Sequence, residues 1–114
     1  TRAEFYLADL GVMSSGAIAA AVYTSLPLLE QVETLRASGA RTLLVENPKA
    51  MAALANAAGK NALDVRWVLM TGEAEGILTL DQIRAMGREE LTTNPQAFDH
   101  IRAGVKADDP AVLY

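Results

Sequence analysis

The chain contains no cysteine, which excludes a disulfide framework and with it the small secreted scaffolds that depend on one. Aromatic residues are scarce, 5% of the total, so a packed interior has to be aliphatic. No stretch approaches the roughly 18 to 20 uninterrupted apolar residues that a membrane-spanning helix requires; the richest window, residues 16–23, has the length of a strand. No segment joins a basic start to a long apolar centre as a cleaved signal does. Basic residues are few and scattered, ten Lys and Arg against fourteen Asp and Glu, for a net charge of -4 and a pI near 4.9. Phosphate backbones are bound by clustered cations, so nucleic acid is not expected as a partner. Neither is a transmembrane segment, and a reducing cytoplasm is the expected compartment.

What is present points to a folded α/β domain. At 114 residues the chain suits a single domain spanning 1–114, a size that removes roughly two-thirds of the unfolded surface from water. Hydrophobic residues make up 51% and the mean hydropathy is +0.14, more apolar than most free-standing domains. Much of that content is alanine, which lets helices pack closely on a sheet while contributing little area per residue.

Periodicity supplies the elements. Tyr6, Leu10, Met13 and Ala17 recur at spacings of three and four, predicting an amphipathic helix over residues 3–15. Residues 17–24, ending Ala-Val-Tyr-Thr, predict a strand buried on both faces. A second helix over 27–38 has Leu28, Val32 and Leu35 on one face and Gly39 as a left-handed cap. Thr-Leu-Leu-Val within 41–46 predicts the next strand. Asn47 as N-cap, Pro48 at the first helical position and Gly59 past the end frame a third helix carrying Met51, Leu54 and Ala58. Arg-Trp-Val-Leu within 65–70 predicts a strand, followed by a polar loop over 71–76. Thr79 and Gln82 form a capping-box pattern that starts a fourth helix with Leu80, Ile83 and Met86, ending before Asn94-Pro95. A short helix over 95–102, a turn at Asp108-Asp109-Pro110 and a strand over 111–114 complete the order. Strands alternating with helices favour parallel pairing. The expected fold is therefore a three-layer, flavodoxin- or Rossmann-like α/β arrangement, with a mostly parallel sheet of three to four short strands flanked by helices.

Residues able to do chemistry are few, and none is assigned a catalytic, cofactor-binding or metal role. His100, the single histidine, stands beside Asp99 and far in sequence from any Ser nucleophile, so a solvated surface position is expected. Gly11 and Gly16 lack the G-x-G-x-x-G spacing and precede a strand, which reads as a helix end. Asp108 and Asp109 resemble the acidic pair of phospho-receiver domains, yet they precede a strand and meet Pro110, which favours a turn. Glu73 and Glu75 lie in a loop without His partners. Thr24 and Ser25 follow the first strand, where open α/β sheets bind ligands, although capping of the next helix is the simpler expectation.

Several segments, in order, resemble the adenylate-forming superfamily, the long-chain fatty acyl-CoA synthetases in particular. Residues 11–16 resemble the Ala-Gly turn leading into that family's Val-Pro-x-Tyr-x-Thr-Ser-x-Pro-x-Glu-Gln run, matched here by Ala21-Val22-Tyr23-Thr24-Ser25-Leu26-Pro27 and Glu30-Gln31-Val32. Leu35-Arg36-Ala37-Ser38-Gly39-Ala40-Arg41 with the following strand is similar to its Leu-x-x-Ser-Gly-Ala-(Arg/Lys)-x-(Val/Leu) motif. Arg66-Trp67-Val68-Leu69-Met70 falls where the family has its next buried strand, and residues 108–114 resemble the acidic-Asp-x-Ala-x-x-x-Tyr lead-in to the phosphate-binding loop. Ala21 stands where many members carry Pro, and residues 26–29 are more apolar than the family's Ser-x-Pro-Glu, which leaves acyl size open. The Thr-Ser-Gly-Thr-Thr-Gly-x-Pro-Lys-Gly signature itself is not in the sequence.

The resemblance implies a parent enzyme that joins a fatty acid to ATP, with Mg²⁺, as an acyl-adenylate and then passes the acyl group to coenzyme A. It further implies that these residues are a fragment of the large N-terminal domain, structural and inactive alone, with the remainder of the synthetase as partner. Sheet edges and helix faces left uncovered are expected to make the isolated chain self-associate. The alternative is a complete flavodoxin-like binding or protein-interaction module. A small dehydrogenase-like nucleotide binder is disfavoured by the missing glycine fingerprint.

Overall fold

The computed structural model describes residues 3–113. In chain order the elements are α1 (Ala3–Ser14), β1 (Ala19–Ala20), α2 (Leu28–Ser38), β2 (Thr42–Val45), α3 (Pro48–Ala58), β3 (Arg66–Leu69), β4 (Leu78–Thr79), α4 (Leu80–Thr93), α5 (Ala97–Ala103) and β5 (Val112–Leu113). The fold is α/β, with an open sheet of three parallel strands ordered β2-β3-β4 and flanked by helices. Two compact units divide the chain: Val22–Gln82, and the described residues of Thr1–Ala21 with Ile83–Tyr114.

The unit Val22–Gln82 holds the core. Register pairs Leu43 with Trp67 and Val45 with Leu69, and because side chains alternate along a strand these four share one face. Val32 and Leu35 of α2, with Leu54 and Ala58 of α3, close over that face; Val32 is 1% exposed and Leu69 0%. Each such Val or Leu contributes about 1.5–3 kcal/mol by leaving water. The opposite face carries Leu44, Val68 and Leu78, of which Val68 is fully buried.

The helices of this unit start and stop where local chemistry directs. Asn47 Oδ1 accepts from the Ala50 N–H at 2.9 Å, with Pro48 at the first helical position. The α2 helix ends at Gly39, whose φ of 67° and ψ of 15° are left-handed. The capping box at the head of α4 is reciprocal: Thr79 N–H donates to Gln82 Oε1 at 2.9 Å, and Gln82 N–H to Thr79 Oγ1 at 3.2 Å. Thr79 also terminates β4, a strand the sequence pattern hides because the same residue reads first as a cap.

The other unit differs more from expectation. The helix over 3–15 forms as α1, but it is not amphipathic: no residue of it is buried, and Tyr6 and Leu10 are 57% and 59% exposed. Apolar residues at 5, 6, 7, 10, 12 and 13 surround the helix, so the i, i+4 series picks out one line from an all-round distribution. The strand over 17–24 shrinks to Ala19–Ala20, paired in parallel with Val112–Leu113 in a separate two-stranded sheet. Alanine offers a pleated surface little to pack, and only Ala19 of the pair is buried. Pro95 and Gln96 precede α5, which runs Ala97–Ala103, and Gly104 at its end is right-handed. The predicted final strand is seen as Val112–Leu113; its last position, Tyr114, lies outside the described residues.

Candidate functional site

In a parallel sheet the strands deliver their loops at one edge, the carboxyl ends, and there a cavity of about 340 Å³ lies between the β3–β4 loop and the head of α4. Thr71, Gly72, Glu73, Thr79, Asp81 and Gln82 line it with Met70. The loop is fixed to the neighbouring strand end. Thr71 donates to the Glu46 carbonyl twice, from N–H at 2.9 Å and from Oγ1 at 2.7 Å, and Met70 N–H donates to Val45 O at 2.8 Å. Gly72 lies so close to α3 that a Cβ placed on it would sit 2.8 Å from Pro48 Cδ. The lining is polar and includes the carboxylates Glu73 and Asp81, and Thr79 and Gln82 direct their side chains to the helix cap.

At the opposite edge, a cavity of about 370 Å³ is lined by Arg36, Arg41, Asn61, Asp64 and the apolar Leu35 and Leu63. Arg36 serves as a tie within the fold, donating from Nη2 to the carbonyls of Ala58 (3.1 Å) and Asn61 and from Nη1 to Glu33 at 3.0 Å. The two bonds to carbonyls hold the C-terminal half of α2 to the end of α3 and the loop after it.

The polar feature that sequence reasoning missed is Gln31. It is 8% exposed, and its Nε2 donates to Leu26 O at 2.7 Å and to Thr24 O at 3.4 Å. Its amide thereby holds the segment preceding α2. Within that segment Leu26 N–H donates to Tyr23 O at 3.2 Å, closing a turn with exposed Thr24 and Ser25 at its centre. Neither residue caps α2, whose N-cap is Pro27 with no side-chain bond. The expected capping role is therefore replaced by a turn that Gln31 secures from within the helix.

Comparison of the chain with protein families, curated proteins and solved structures finds no match.

The remaining candidates lie on different elements and turns of the chain. His100 is exposed on α5, next to an Asp99–Arg102 ion pair at 3.1 Å. Asp109 closes a turn, its Oδ2 accepting from Lys106 N–H at 2.8 Å while its own N–H donates to Lys106 O at 3.1 Å; turn chemistry is what these atoms do. Gly11 lies inside α1 and Gly16 just beyond it, the positions of a helix and its end. Glu73 and Glu75 are exposed in the β3–β4 loop. Among the described residues, no group of three or more His, Asp or Glu side chains is arranged to hold a metal ion, and no helix is long and apolar enough to cross a membrane.

Proposed function

We propose that this chain is scaffold from the large N-terminal domain of an ATP-dependent long-chain fatty acyl-CoA synthetase, cytoplasmic, and catalytically silent by itself. The observation that carries the proposal is Gln31. In the segment Thr24-Ser25-Leu26-Pro27 followed by Glu30-Gln31, which resembles the family's Thr-Ser-x-Pro-x-Glu-Gln run, the glutamine binds the carbonyls of Thr24 and Leu26. The resemblance thus falls on a residue pair with a physical reason to occur together: the turn needs a donor, and the helix supplies one. The Ser38-Gly39-Ala40 segment supports the same reading, since a left-handed Gly39 turns the chain from α2 toward the strand β2, which ends at the buried Val45.

The parent reaction needs backbone N–H groups to cradle ATP phosphates, Mg²⁺ to hold charge, and coenzyme A as acceptor. This chain's own residues do not include the family's Thr-Ser-Gly-Thr-Thr-Gly phosphate-loop signature. In the first turns of α3 and α4, Asn47 takes the Ala50 N–H and Thr79 takes the Gln82 N–H, and no step of the reaction is assigned to either helix. The chain's contribution is to position its neighbours in the parent.

Carboxylate-dependent exchange between ATP and pyrophosphate provides the test. The complete coding frame containing this chain is expected to catalyse exchange with a long-chain fatty acid, and the 114-residue chain alone is not. Exchange by the isolated chain, or none by the complete protein, overturns the proposal. The cavity at the carboxyl ends of β3 and β4 favours a second reading, a flavodoxin-like binding module, because ligands of open α/β sheets occupy that edge. Saturable binding of FMN by the 114-residue chain would establish that reading instead.

A further inference from the structure

We draw no further inference here: the strongest candidate, the apolar surface of α1 carried by Phe5, Tyr6, Leu7 and Leu10, is an unpartnered helix face, and nothing in the structure shows what covers it.

Discussion

A buried glutamine amide that meets two carbonyls does the work of a backbone donor, and Gln31 is the residue whose loss should reveal this most clearly. Replacing it with leucine keeps the volume but leaves the Leu26 carbonyl without the 2.7 Å bond it now accepts. The Leu26 carbonyl is only part-buried, so the net loss is that of one hydrogen bond, about 0.5–1.5 kcal/mol, and Gln31→Leu should lower the free energy of unfolding in urea by that amount. Gln31→Glu sharpens the test. An ionised carboxylate cannot donate and would face the oxygens of Thr24 and Leu26, whereas the protonated form can donate. Burial and those oxygens raise the folded-state pKa of the introduced carboxyl above its unfolded value, so the protonated form's stability is present at low pH and lost as pH rises. Gln31→Glu should therefore be destabilised at pH 7 and recover as pH falls toward about 4, relative to the parent chain at each pH. Equal stability of all three chains at pH 7 would show that the amide secures nothing. The sequence placed Gln31 on the right helix but gave no sign of its burial, because a polar residue beside Glu30 reads as solvated until the turn it serves is in view.

Helix boundaries set by chemistry within four residues were legible, and the extents of the shortest strands, set by pairing, were not. Asn47-Pro48, Thr79 with Gln82, and Gly39 each act on their own backbone, and all three function as the spacing suggested. The two-residue strand β4 exists only through its pairing with β3, and the strand expected over 17–24 survives only as Ala19–Ala20 paired with Val112–Leu113, so local pattern missed the first and overran the second. Glycines at the turns separate these two kinds of information. Gly39 has a φ of 67° and open space where a Cβ would go, while Gly72 has a φ of 75° and the Pro48 ring 2.8 Å from that position. Left-handed backbone costs a residue with a Cβ about 1–2 kcal/mol, which is the whole expected effect of Gly39→Ala. Gly72→Ala adds a collision between the β3–β4 loop and the head of α3. Its denaturation midpoint should fall clearly further, and a smaller loss than for Gly39→Ala would mean that the loop shifts freely away from Pro48. The same collision would change the cavity at the strand ends, so any ligand bound there should be lost with Gly72→Ala and retained with Gly39→Ala.

Across the whole molecule, buried apolar residues are distributed unevenly between the two units. All the side chains of the continuous core belong to Val22–Gln82. In the other unit Ala19 is the one buried hydrophobic residue among those described, while Phe5, Tyr6, Leu7, Leu10, Phe98 and Ile101 are exposed. Composition foretold an apolar chain, but it could not say which residues stay in water, since the same leucine content serves a core or a bare surface. Exposed side chains of this size favour association, because each apolar contact formed between molecules removes area from water. The isolated chain should therefore sediment as concentration-dependent oligomers. Its net charge of -4 opposes association only weakly at physiological salt, where charges are screened beyond about 8 Å. Sulfate strengthens apolar burial, so it should drive association further, whereas a contact built on ion pairs would weaken as salt is added. Substituting Tyr6 and Leu10 together by serine should shift the oligomer toward monomer without altering the unfolding of Val22–Gln82, whose core contains neither residue. A monomer at every concentration, with or without sulfate, would mean that the exposed surface of α1 has no affinity for itself.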